Sequence, residues 1–314
     1  MNTINLLKKI IMPNSLWMSV GMMLAACAAA NVRGEFKPLQ AILCLLLALV
    51  MQLLANFSHR YYDAKYQYGE NIDDGLYRRP GGMANVLALT KEGTTAMFII
   101  SLTVGLVVLA FAGWWAVGPG LLAYALIFGS NSGPRPLLRT PWGVIVPFIG
   151  FGILGVGTMA QIQICYLNPN PWNWWVMAPW VLGGGGMGFL AVNVQLLHNI
   201  AHRQTDEDID KDTFTVNHGV KPTVWFMVIN AVLSVLPMLI FAIYLRAVSA
   251  WWSVYPPLLG AVGSLIVCAL AYRHPERAVS LSRWQIFCYC IVGLFFFIDS
   301  FIIGAPDRLQ LEIL

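Results

Sequence analysis

The sequence has little charge for its length. Asp, Glu, Lys and Arg make up only 11% of the 314 residues, whereas a soluble domain carries ~25%. The apolar fraction is 58%, and the 19 basic and 15 acidic residues cannot coat a soluble core of this size. Intrinsic disorder is excluded as well, because 12% of the residues are aromatic. The composition therefore predicts a protein that lies mostly in lipid.

The sequence also lacks cysteine pairs of the C-x-x-C type. It has six cysteines, and nearly all of them fall inside apolar runs. This pattern argues against a cysteine-bound metal cluster and against a disulfide framework. It is typical of small buried apolar side chains.

Long apolar runs occupy most of the chain instead. A helix that spans a bilayer needs ~20 mostly apolar residues, and in lipid its backbone groups must be bonded within the segment. We therefore predict an all-α polytopic membrane fold, a single integral-membrane domain over residues 1–314. We expect nine transmembrane helices in two pseudo-repeated four-helix halves around a central cavity. The nine segments are 15–32, 38–57, 95–112, 114–129, 142–164, 175–200, 223–245, 253–272 and 284–305.

The distribution of basic residues predicts the orientation. With a cytoplasmic N-terminus, 15 of the 19 basic residues lie on the inner face, as the positive-inside rule requires. We expect a multi-pass protein of the cell's inner (plasma) membrane, with membrane lipid around it, no nucleic acid partner, and long cytoplasmic loops at 58–94 and 201–222. Lys8 and Lys9 before an apolar run that ends at Cys27 also resemble a lipoprotein signal. Cleavage there would invert the charge-favoured topology, so we favour a retained first helix.

An internal repeat lies at the start of these two loops. The pattern N-x-x-H-R-x-x-D occurs at residues 56–63 and again at 199–206. Offsets of 0, +3, +4 and +7 place the four side chains on one face of a helix. We therefore expect the two faces to meet around one cavity. The repeated residues are Asn56, His59, Arg60 and Asp63 in the first copy, and Asn199, His202, Arg203 and Asp206 in the second.

Such a pair of faces is suited to a diphosphate. Carboxylate and amide oxygens are ligands that Mg²⁺ prefers, and Mg²⁺ bridges to substrate phosphates. Nearby cations neutralise the remaining charge. The plainer alternative is that both faces are solvated helix ends that obey the positive-inside rule. Asn193, Gln195 and His198 either line an adjoining pocket for an aromatic substrate or form interhelical hydrogen bonds.

These segments resemble the UbiA superfamily of membrane prenyltransferases, most closely the 1,4-dihydroxy-2-naphthoate polyprenyltransferases of menaquinone biosynthesis. Residues 56–63 resemble the family's N-x-x-N-D-Y-x-D, and 199–213 resemble its N-x-R-D-x-x-x-D followed by G-K-x-T. Residues 133–137 resemble its G-G-P-x-P-L segment, and 151–158 resemble F-G-x-x-x-V-x-G-T. The resemblance implies a UbiA-like fold and transfer of a polyprenyl group from polyprenyl diphosphate to an aromatic acceptor, with Mg²⁺ as cofactor.

The chemistry of the residues and the resemblance together indicate roles for individual residues. The expected catalytic residues are Asn56, Asp63, Asn199 and Asp206. The expected metal ligands are Asp63, Asp73, Asp74, Asp206 and Asp210. The residues expected to bind diphosphate are His59, Arg60, Arg78, Arg79, Arg135, Arg139, His202, Arg203 and Lys211.

Two departures from the family pattern are matched between the copies. His59-Arg60 replace an Asn-Asp pair in the first copy, and Ala201-His202 replace an Arg-Asp pair in the second. The parallel exchange indicates a changed metal, a changed substrate or direct recognition of diphosphate by arginine. Other acceptors such as 4-hydroxybenzoate, a terpene cyclisation, and a non-catalytic transporter or lipid-binding protein remain alternatives.

Overall fold

The computed structural model describes residues 7, 10–32, 36–66, 82–133, 135–164, 174–244 and 255–302, and all of its regular elements there are helical. The first half contains α1 (Pro13–Val32), α2 (Pro38–Lys65), α3 (Gly82–Ala112) and α4 (Val117–Asn131). Helix α5 covers 145–164 and includes a π-helical stretch, Phe148–Thr158. The second half contains α6 (Trp174–Ala201), the short α7 (Arg203–Asp208) and α8 (Phe214–His218), then α9 (Val220–Tyr244), α10 (Tyr255–Arg273) and α11 (Ala278–Ile302).

The structure supports a multi-pass membrane protein. Within the described ranges, 8 helices are long and apolar enough to cross a bilayer. Helix α4, at the predicted fourth span, has only 15 residues, which is about 22 Å at the helical rise. That length falls short of the ~30 Å hydrocarbon core, so the ninth span stays a prediction. The cytoplasmic orientation and the two-half layout are likewise predictions.

The first repeat copy lies on one continuous helix, as predicted. Helix α2 extends to Lys65, well beyond the predicted end at residue 57. The second copy is different, because α6 ends at Ala201 and α7 begins at Arg203. The junction residue His202 still donates its backbone N–H to His198 O at 3.1 Å. The expected single face is therefore bent in the second copy, and the helical hydrogen-bond pattern continues through the bend.

Close helix packing explains the run of four glycines in α6, Gly183–Gly186. A Cβ added to Gly184 would stand 2.8 Å from the Gly152 carbonyl oxygen of α5. Such contact is possible only between residues without side chains, which is how membrane helices approach one another closely. The run is a packing surface, and it holds α5 against α6 beneath the second repeat copy.

Candidate functional site

The last turns of α2 present the first repeat copy. The His59 Nδ1–H donates to Asn131 Oδ1 of α4 at 3.1 Å. On the other side of the ring, Nε2 lies 3.5 Å from Asp63 Oδ2. The two side chains are 29% and 15% exposed. A histidine and a carboxylate are therefore held side by side where solvent and small ions reach them.

Asn56 does not join this group. Its Nδ2 donates to the Ile11 carbonyl at 2.7 Å and to Ser15 Oγ at 3.1 Å, and its Oδ1 accepts from Gln52 at 3.1 Å. The first two contacts link α2 to Ile11, just before α1, and to Ser15 in the first turn of α1. The third lies within α2, one turn earlier. Asn56 anchors the motif helix here, and a catalytic role for it stays a prediction.

The second copy carries a buried ion pair. Lys211 Nζ lies 2.9 Å from Asp206 Oδ1, with the side chains 13% and 6% exposed. The backbone forms this pair locally, because Lys211 N–H also donates to the Asp206 carbonyl at 2.8 Å. The intervening Asp210 has φ +51 and reverses the chain. The other oxygen, Asp206 Oδ2, is buried without a hydrogen-bond partner. An oxygen in that state is suited to receive a ligand.

The basic side chains of the two copies lie near one another. His59 of α2 interacts electrostatically with Lys211 of the second copy. His198 interacts with His59 and Arg60 of the first copy as well as with Lys211 and His202. The His198 and His202 ring centroids are 4.4 Å apart. The His198 side chain is solvent-exposed, so water and small anions can reach this group of side chains. We name these five residues the cation cluster, after the fixed positive charges of Arg60 and Lys211, to which His59, His198 and His202 add ring nitrogens.

The remaining predicted residues lie around this cluster or apart from it. Arg139 Nη2 donates to the Ile209 carbonyl at 2.6 Å and thereby holds the end of α7. Asn199 is buried and accepts from Gln195 at 3.1 Å. Arg203 is half-buried, and Asp210 is exposed. Arg135 instead lines a separate open pocket of about 430 Å³ with Thr140 and Trp142. Asp73, Asp74, Arg78 and Arg79 lie outside the described residues.

A magnesium ion fits this site only in part. The described portion of the chain has no group of three or more His, Cys, Asp or Glu side chains that could hold a metal ion. It does have Asp63, whose side chain is 15% exposed, and Asp206 Oδ2 without a hydrogen-bond partner. Mg²⁺ commonly binds one or two carboxylates and completes its shell with waters and phosphate oxygens. The described residues therefore fit a metal that arrives together with a diphosphate.

Two features of the site went unnoticed in the sequence. Gln52 donates to Asn56 and Gln195 donates to Asn199, each at 3.1 Å. The repeat thus extends one turn upstream, and a direct comparison of the two copies would have found it. Asn131 has no local signal, because its partner His59 lies 72 residues away.

The family model agrees with this arrangement of helices. The UbiA prenyltransferase family matches residues 19–296, most of the chain. The chain belongs to the UbiA prenyltransferase family. It is therefore a prenyltransferase, and the predicted membership of that family is confirmed.

Individual relatives agree with the family assignment. The chain is 26% identical over 254 residues to a 1,4-dihydroxy-2-naphthoate octaprenyltransferase of Haemophilus influenzae, covering 76% of this chain and 77% of the relative. The structure of a UbiA homolog from Aeropyrum pernix K1 matches with TM-score 0.59 at 14% identity, over 95% of this chain and 98% of that one. A UbiA homolog from Archaeoglobus fulgidus, bound to DMAPP and Mg²⁺, matches with TM-score 0.56 at 12% identity, over 91% and 98%. These two structural matches show the UbiA fold.

Proposed function

We propose that this UbiA-family enzyme transfers a polyprenyl group from polyprenyl diphosphate to 1,4-dihydroxy-2-naphthoate, a step of menaquinone biosynthesis. The observation that carries the proposal is that Arg60 of the first repeat copy and Lys211 of the second both lie close enough to His198 to interact with it electrostatically. A diphosphate is the substrate group that needs such a concentration of positive charge. The naphthoate acceptor is supported by the similarity to the Haemophilus influenzae octaprenyltransferase.

The cation cluster binds the diphosphate in this proposal. Arg60 comes from the first repeat copy and Lys211 from the second, and both interact electrostatically with His198, whose ring packs on that of His202. Asp63 and the free Oδ2 of Asp206 would hold Mg²⁺. When bound, the ion supplies further positive charge against the departing diphosphate.

The reaction itself is a substitution at an allylic carbon. The carbon–oxygen bond to the diphosphate breaks, and its electron pair leaves with the diphosphate oxygen. A π-electron pair of the electron-rich acceptor ring forms the new carbon–carbon bond. Loss of a proton or a carboxyl group from that ring carbon restores aromaticity. The cation cluster assists by stabilising the negative charge that develops on the leaving group.

Product analysis tests the proposal. The purified protein in nanodiscs is given prenyl diphosphates of several chain lengths, each with 1,4-dihydroxy-2-naphthoate or 4-hydroxybenzoate, with Mg²⁺ or with EDTA. Mass spectrometry should detect a prenylated naphthalene product and an equal amount of released diphosphate, both lost with EDTA. Diphosphate release without any adduct would instead indicate cyclisation of the prenyl chain. An adduct with 4-hydroxybenzoate alone would contradict the proposed acceptor, and neither product would indicate a transporter or a lipid-binding protein.

A further inference from the structure

The hydrogen bonds of Asn131 determine how the His59 ring is protonated. Asn131 Nδ2 donates to the Ile127 carbonyl at 2.8 Å and to Ser130 Oγ at 3.2 Å. These contacts assign the amide orientation, so Oδ1 is the atom that faces His59. Because an amide oxygen only accepts, His59 Nδ1 must carry the hydrogen. In the neutral imidazole, Nε2 then keeps its lone pair.

This lone pair faces a second acceptor. His59 Nε2 and Asp63 Oδ2 are 3.5 Å apart. In the neutral imidazole this is a contact between two acceptors, and either a proton on Nε2 or a bound metal ion relieves their repulsion. Two donors that are each ~2.1 Å from one metal ion would be about 3.0 Å apart at a right angle and about 3.4 Å apart at a tetrahedral angle. The observed separation is near that range. Both side chains are also partly exposed, so an ion can reach them.

We propose that His59 Nε2 and Asp63 Oδ2 bind one divalent metal ion together, with Asn131 as the positioning residue that orients the imidazole. The inference rests on the proposed function, because diphosphate oxygens fill part of the ion's remaining coordination sphere. An imidazole nitrogen suits transition-metal ions, whereas Mg²⁺ prefers hard oxygen ligands. The site therefore binds Mn²⁺ more tightly than Mg²⁺.

The second repeat copy does not reproduce this ligand pair. Its carboxylate, Asp206, is bound through Oδ1 to Lys211 at 2.9 Å. Its histidine, His202, has the ring of His198 beside it, where the first copy has Ala55 at the matching position. The copies are thus alike in sequence and different in contacts. In this assignment the imidazole ligand comes from the first copy alone, and the second copy supplies Lys211 and the unpartnered Asp206 Oδ2.

The nearby cations predict that the metal ion binds together with diphosphate. Arg60 and Lys211 both act electrostatically on His59, and they oppose a free divalent cation. A bound diphosphate cancels this repulsion and adds its own ligands. Mn²⁺ and pyrophosphate should therefore increase each other's affinity by the same factor.

Pulsed electron paramagnetic resonance of bound Mn²⁺ tests the proposal without any turnover. Wild-type protein in nanodiscs with Mn²⁺ and inorganic pyrophosphate should show ¹⁴N coupling from a coordinated imidazole, together with ³¹P coupling. His59→Gln should lose the ¹⁴N coupling. Asn131→Leu should weaken Mn²⁺ binding about 10- to 100-fold, as the loss of a second-shell partner does. Asn131→Asp should retain binding, because a carboxylate oxygen also accepts from Nδ1.

A matched control is available on the protein surface. His274 Nδ1 lies 3.1 Å from Glu276 Oε1 in an exposed position, so His274→Gln removes a similar pair and should leave the ¹⁴N coupling unchanged. Mn²⁺ with ³¹P coupling but no ¹⁴N coupling would overturn the proposal and leave the proposed function standing, as would ¹⁴N coupling that survives His59→Gln. Absence of both Mn²⁺ and pyrophosphate binding would overturn the proposal and the proposed function together.

Discussion

The ion pair between Lys211 and Asp206 allows a quantitative prediction. Replacing Lys211 with Met keeps a long side chain and removes the charge, which leaves Asp206 buried with neither oxygen paired. Removing one partner of a buried pair costs ~3–5 kcal/mol. Lys211 also repels the nearby His59 and His198, and relief of that repulsion offsets part of the loss. We therefore expect Lys211→Met to lower the free energy of unfolding by about 3 kcal/mol, roughly 150-fold in the equilibrium constant.

The assay is reversible unfolding in mixed detergent micelles, with two comparison variants. Lys221→Met makes the same substitution at an exposed position and should change the free energy of unfolding by less than about 0.5 kcal/mol. The double variant Lys211→Met with Asp206→Asn removes both charges and should recover most of the lost stability. A loss below about 1 kcal/mol for Lys211→Met, the size typical of exposed pairs, would refute the burial argument.

Two further predictions concern packing and orientation. Gly184→Ala should destabilise the protein by about 1–3 kcal/mol in the same unfolding assay, because its Cβ would press on the backbone of Gly152. The control is Gly120→Ala, whose Cβ would have nothing within 4 Å and which should be neutral or slightly stabilising. A cysteine introduced at the exposed Asp208 should react with a membrane-impermeant maleimide only after the cytoplasmic face is opened; labelling in intact cells would reverse the topology.

The sequence predicted those features that follow from local regularity. Apolar runs predicted the all-helical membrane fold, because each spanning helix needs its own stretch of apolar residues. The apolar composition of α4 could not show that the helix is too short to span the bilayer, because its 15 residues are as apolar as those of a full span. Length alone distinguishes it.

The candidate site was predicted less completely, because its contacts join distant parts of the chain. The repeated pattern indicated which side chains share a helix face, and cations from both copies do interact in the structure. Equal spacing did not reveal that the copies differ in their partners. His59 pairs with Asn131 from another helix, while Asp206 pairs with Lys211 from its own loop. Such differences depend on tertiary packing, which the pattern of a single motif does not contain.

The most direct test of the shared site is a double-mutant cycle on pyrophosphate affinity between the two repeat copies. Arg60→Met removes a cation from the first copy and Lys211→Met removes one from the second, with Lys221→Met as the exposed control. A charge-assisted contact contributes about 1.5–3 kcal/mol, so each variant should weaken pyrophosphate binding about 10- to 150-fold in titration calorimetry, and the double variant should depart from additivity. Loss of affinity in only one of the two variants would contradict a single diphosphate site built from both halves.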